Sequence, residues 1–198
     1  RIDGDGERVA LALAQRHNVP EVVARVLAAR GVTLENAVQE LSPKIRTLLP
    51  NPSTLTDCDV LVTHLADAIL ARRQLALFAD YDVDGATSAA VVWRTLKSFG
   101  VDARIMVPDR VSDGYGPSVP LMESLVAGGA EVVVTLDCGA GAVEPVAAAK
   151  GLGATVLVIA HHPVDTIAPA HAAVNPNRAD DLSGLGDCAA VGVAFVVM

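Results

Sequence analysis

Aromatic side chains are scarce in this chain: Phe, Trp and Tyr make up 3% of 198 residues, whereas 52% of the residues are hydrophobic. A sizeable core must therefore be built from Ala, Val and Leu, as in parallel sheets covered by helices. Basic residues are also in deficit, with 15 Lys and Arg against 23 Asp and Glu and a formal net charge of -8. That balance argues against a surface that is basic throughout, and any nucleic-acid contact would need a local groove. Cysteine is limited to Cys58, Cys138 and Cys188. An odd number with no CxxC spacing excludes a closed disulfide framework and gives no structural zinc signature, which fits a reducing compartment. No apolar run reaches the ~18 residues of a membrane span, and the opening Arg1-Ile-Asp-Gly-Asp-Gly lacks a signal-peptide core. A cytoplasmic protein without a membrane partner is expected. The chain opens without Met and breaks off inside the apolar "CAAVGVAFVVM", so a fragment truncated at its C-terminus is expected.

Two regimes follow one another. From about Val19 to Pro50 the pattern is helical: "VPEVVARVLAARG" has Pro20 near a first-turn position and Gly31 as a stop, "TLENAVQEL" follows Thr33 as a cap, and "SPKIRTLLP" starts at Ser42-Pro43. A further helix is predicted from Asp57 to about Arg73. Residues 1–73 are thus expected to form a small N-terminal helical segment, and residues 74–198 a catalytic domain. In the second regime apolar strands at 75–80, 103–108, 131–137 and 154–160 alternate with helices near 85–100, 117–127 and 142–153. Such alternation predicts an α/β fold, a parallel sheet flanked by helices with right-handed crossovers.

Open parallel sheets bind ligands beyond the carboxyl ends of their strands. The four strand ends here read "DYDVDG" (Asp80, Asp82, Asp84), "PDR" with "SDGYG" (Arg110, Gly114, Tyr115, Gly116), "DCG" (Asp137) and "AHHP" (His161, His162). Acids at alternate positions would repel one another in a dry site, and a divalent cation removes the conflict. Carboxylates with imidazoles suit Mn²⁺ or Mg²⁺, and a pair of such ions is a common device for hydrolysing phosphate esters. A calcium loop of the EF-hand type needs Glu at its twelfth position, which counted from Asp80 is Val91.

Taken in order, "DYDVDG", "PDR…DGYG", "DCG", "AHHP", "VNPNR" (Val174 to Arg178) and "CAAVGVAF" (Cys188 to Phe195) resemble the N-terminal catalytic part of the DHH phosphoesterases, over roughly residues 20–198. The ordered set is far more specific than any single motif. The resemblance implies metal-dependent 5′→3′ hydrolysis of single-stranded DNA, in recombination and repair, with Mn²⁺ or Mg²⁺ as two ions. It implies that Asp82 and Asp137 hold one ion, that Asp84, Asp137 and His161 hold the other, and that Asp137 bridges them. Asp80 would compensate for a histidine ligand that some relatives carry four residues before Asp82. By the same resemblance His162 contacts the scissile phosphate, Arg110 with Gly114, Tyr115 and Gly116 helps to bind substrate, and the nucleophile is a metal-bound water.

Two positions depart from the family pattern. The name-giving Asp-His-His is here Ala160-His161-His162, and a histidine ligand of some relatives is replaced by Phe78. If the absent acid supports a metal-bound histidine, its loss costs ~10–100-fold in metal affinity or activity. Two alternatives to the exonuclease therefore stand: the same chemistry on small nucleotides or oligonucleotides, and a non-catalytic module that binds nucleic acid or a partner protein. The sequence names no repair-protein partner. His17, His64 and His171 read as ordinary surface or helix residues, Cys138 as a small buried side chain, and Trp93 as core by its helical spacing with Val92 and Leu96. "SDGYG" reads equally as a turn or as a backbone shaped for a ligand.

Overall fold

A computed structural model describes residues 3–198, which pack as two compact units, one running through Leu49 and the other spanning Pro50–Met198. The first unit contains α1 (Gly4–His17), α2 (Glu21–Ala29) and two short helices, α3 (Ala37–Leu41) and α4 (Ile45–Leu48). Its small core joins Ala10, Leu13, Ala24, Val32 and Ala37. Helix α1 lies upstream of the predicted helical stretch. Its two first-turn glycines mask it in the sequence, while Asp3 caps it by accepting the Gly6 N–H at 2.8 Å. Thr33 and Asn36 cap reciprocally, as the Thr33 N–H donates to Asn36 Oδ1 and the Asn36 N–H donates to Thr33 Oγ1.

In the second unit α5 (Cys58–Leu70) precedes β1 (Leu75–Ala79), α6 (Val83–Ser98), β2 (Ala103–Met106), α7 (Val119–Ala127), β3 (Val132–Leu136), α8 (Val143–Gly151), β4 (Thr155–Ile159), β5 (Ala172–Val174) and α9 (Ala190–Val197). All strand pairs are parallel, in the order β2-β1-β3-β4-β5. Strands β1, β3 and β4 are buried along their whole length, which is why they read as continuous apolar runs. Alternate side chains serve the two faces. Leu77, Val134 and Leu157 pack with Leu61, Leu65, Val92, Leu96 and Val193 from α5, α6 and α9. Phe78, Val133 and Val156 pack with Met122, Leu125 and Val146 from α7 and α8. Trp93 lies partly buried against the first of these clusters, as its spacing predicts.

Two features differ from the sequence expectation. The three-residue strand β5 is too short to show a period, and it forms by pairing with β4. Helix α5 packs against the sheet, so the compact units part at residues 49 and 50, whereas the change of hydrophobic period falls near 73.

The topology fixes where a site should lie. From β1 the chain crosses through α6 to β2 on one side, then returns past β1 to β3 on the other. The crevice beyond the carboxyl ends of β1 and β3 is thus the switch point of a doubly wound sheet.

Candidate active site

The sheet register lines up the first residue after each strand. Ala79 pairs with Leu136, Leu136 with Ile159, and Ile159 with Val174. One step further come Asp80, Asp137, Ala160 and Asn175, with the Asp80 N–H donating to the Leu136 carbonyl, that of Asp137 to Ile159 and that of Ala160 to Val174. All four are buried, and Ala160 stands where a further carboxylate would extend the row.

Asp137 is the centre of the group. Its backbone has φ 61°, a left-handed conformation uncommon for a non-glycine residue, and two residues on Gly139 has φ 87°. A Cβ on Gly139 would lie 2.6 Å from Thr135 Oγ1, so the turn that delivers Asp137 requires glycine. The Asp137 carboxylate is 1% exposed, yet neither oxygen accepts a hydrogen bond among the described residues. Nε2 of His161 and Nε2 of His162 each stand 3.4 Å from its Oδ1. Burial, reinforced by the charges of Asp84, Asp82 and Asp80, pushes its carboxyl up to about 7.

The other acids are placed by α6. Asp82 is its N-cap and accepts the Gly85 N–H at 2.9 Å. Gly85 lets the helix start against β1, because a Cβ there would lie 2.4 Å from the Asp80 carbonyl oxygen. Asp80 accepts the Tyr81 N–H at 2.8 Å, and burial raises its carboxyl. Asp84 faces two ways: its oxygens accept the N–H groups of Ala190 and Val191 at 2.8 Å each, capping α9, and its Oδ2 lies 3.4 Å from His161 Nε2.

Two sets of three donors result, Asp137 with His161 and His162, and Asp80 with Asp82 and Asp137, and within each set the ligand atoms lie within 4.8 Å of one another. Asp137 belongs to both. The fit to a divalent cation is good, since a buried carboxylate with two orphaned oxygens and three acids at one rim call for positive charge. Phe78, at the position where some relatives have histidine, is fully buried in the core and supplies no donor. Asp84 belongs to neither set, a placement that follows from its bonds to α9.

The loop from β2 supplies a partly apolar rim. Arg110 Cζ lies 5.3 Å over the Tyr81 ring, and Tyr81 meets Tyr115 edge to face at 6.3 Å. Gly114 and Gly116 have φ 82° and 72°. Tyr115, Gly116, Cys138, Gly141, Ala160 and His162 help to line a cavity of about 480 Å³ beside the acids. Burial pushes the Tyr115 hydroxyl up to about 12 and the Cys138 thiol well above its ordinary range, so both remain protonated. His171 lies far from this rim in role: its Nδ1 accepts the Val156 N–H at 3.0 Å.

Tyr81, Asn175 and Asn177 touch this region; each lies inside a motif quoted from the sequence, but the sequence assigns none of them a role. Tyr81 lies inside the acidic motif, so its signal was present. The asparagines reach the histidines only through the folded loop.

Comparison with known proteins accords with this geometry. Residues 74–198 match the DHH family, N-terminal domain. The single-stranded-DNA-specific exonuclease RecJ of Salmonella typhimurium is 36% identical over 183 residues, covering 91% of this chain and 31% of that protein. The chain thus spans about a third of the length of this curated relative. A crystal structure of exonuclease RecJ bound to manganese matches 72% of this chain and 36% of its own, with 28% identity and a TM-score of 0.63. RecJ from Thermus thermophilus in complex with Mn²⁺ shares the fold over 99% of this chain and 26% of its own, at 22% identity and a TM-score of 0.75. By its matched domain, the chain belongs to the DHH family.

Proposed function

We propose that this chain carries the metal centre of a phosphodiesterase that degrades single-stranded DNA from the 5′ end. The observation that carries the reading is the buried, unpartnered carboxylate of Asp137, ringed by Asp80, Asp82, His161 and His162 at the switch point of the sheet. The relatives named as exonucleases, and the manganese in one of their structures, support the choice of substrate and metal.

Asp82 and Asp80 would hold one ion and His161 the other, with Asp137 shared between them. Asp84 has lone pairs left after capping α9 and faces His161, so it would complete the second position. Mn²⁺ or Mg²⁺ bound there would supply Lewis acidity and lower the pKa of a coordinated water. His162, the more exposed imidazole, would meet a phosphate oxygen. Arg110 would offer a fork of donors to a neighbouring phosphate. The cavity beside Ala160 is of nucleotide size and would take the sugar and base next to the bond cleaved.

The test is hydrolysis of 5′-phosphorylated single-stranded DNA in Mn²⁺ by this chain and by its Ala160→Asp variant, with dinucleotides as rival substrates. Stepwise release of nucleotides from the 5′ end, faster in the variant, is expected. Cleavage of dinucleotides alone would move the reading to a small-substrate phosphoesterase. Binding of DNA without cleavage by either chain would leave a non-catalytic module.

A further inference from the structure

His161 and His162 follow β4 in irregular backbone, where no sheet ladder holds them. Two side-chain amides do so instead. Asn175, fully buried at the end of the row, donates from Nδ2 to the His162 carbonyl at 2.8 Å. Asn177 donates from Nδ2 to the His161 carbonyl at 2.6 Å and to the Gly186 carbonyl at 3.0 Å. The two residues are themselves joined, because the Asn177 backbone N–H donates to Asn175 Oδ1 at 2.9 Å. Between them Pro176 fixes one backbone angle. The loop closes tightly over the pair: a Cβ on Gly186 would lie 2.7 Å from Asn177 Oδ1.

We infer that Asn175 and Asn177 are positioning residues that set the two imidazoles against Asp137, one amide to each histidine. The inference rests on the metal-centre reading above. A side-chain donor is needed to satisfy each histidine carbonyl, and the Asn175 amide also offers the acceptor that takes the Asn177 backbone N–H. Ligand positions matter at the sub-ångström level, since a misplacement of about 1 Å is enough to cost about 100-fold in rate. The bonds run to backbone carbonyls, so they fix where each imidazole is carried and leave its ring nitrogens free for the centre.

The experiment follows imidazole resonances in the metal-free chain, labelled with ¹⁵N-histidine, for wild type, Asn177→Ala and Gly186→Ala. Asn177→Ala removes the amide, and Gly186→Ala pushes it aside while keeping it, so the second variant decides if the first fails to fold. The His161 and His162 signals are expected to move while those of His17, His64 and His171 stay. Mn²⁺ titration of the same variants should show affinity falling by about 10–100-fold, the range for losing a partner that orients a metal ligand. A folded variant whose imidazole signals stay put and whose Mn²⁺ affinity stays within about twofold of wild type would overturn the inference, being far short of that range. If wild type binds no Mn²⁺ yet the imidazole signals move on substitution, the positioning role stands and the metal reading fails.

Discussion

Asp137 combines three costs in one residue: a left-handed backbone, a carboxylate shut away from water, and two orphaned oxygens. Nothing in the packing requires a charge there, so the cost points to a ligand. The linkage has a definite sign. Its carboxyl titrates near 3.8 when unfolded and is raised to about 7 when folded, so this group favours folding most below its unfolded value. That contribution is lost as pH rises to about 7 and stays lost above it. Asp137→Asn keeps a residue type that tolerates left-handed backbone and removes the charge. In EDTA the variant should be more stable than wild type at pH 8, by about 2–4 kcal/mol for a shift of this size, with the gap shrinking toward pH 5. Mn²⁺ binding should be abolished. Urea unfolding at the two pH values and a Mn²⁺ titration check both halves, and a gap that does not depend on pH would contradict the assignment of the raised carboxyl.

At the scale of elements, two glycines make opposite predictions. Gly85 starts α6 where a Cβ would meet the Asp80 backbone, so Gly85→Ala should destabilise the chain by about 1–3 kcal/mol despite the better helix propensity of Ala. It should also weaken metal binding, because Asp80 and Asp82 flank the contact. Gly151 ends α8 with nothing within 4 Å of a Cβ, and Gly151→Ala should be neutral or stabilising by up to about 1 kcal/mol. Thermal melts of the two variants test the pair. The same elements mark what was legible in advance. Strands β1, β3 and β4 and helices α5 to α8 announce themselves, because full burial leaves unbroken apolar runs and the helices between them keep their period, while the largely exposed β2 is marked by its place in the alternation. The acids and histidines were legible too, since a parallel sheet gathers its strand ends on one rim. Helix α1 was hidden by its glycines and β5 by its length. The bonds from Asp84 to α9 span more than a hundred residues, and those from Asn175 and Asn177 to the histidines exist only once the loop has closed.

For the molecule as a whole, charge sets the terms of any encounter with DNA. A chain of net charge -8 whose candidate site is itself acidic repels a polyanion at long range, so binding must come from the bound cations and a few local donors. Arg110 is the arginine on that rim, held over Tyr81. Salt dependence reports how many phosphates such contacts neutralise, with a slope of about -0.7 in log affinity against log salt for each phosphate of a single strand. For this chain in Mn²⁺ the slope should correspond to one or two phosphates, far shallower than for a binder with a basic groove. Arg110→Ala should remove about 0.7 from its magnitude, one phosphate's worth. It should also raise KM more than it lowers kcat, since Arg110 lies on the rim and outside both donor sets. Titrations of 5′-phosphorylated single strands across a salt series, paired with steady-state kinetics, measure both quantities. A steep slope that Arg110→Ala leaves unchanged would put DNA recognition on a surface remote from the acidic rim.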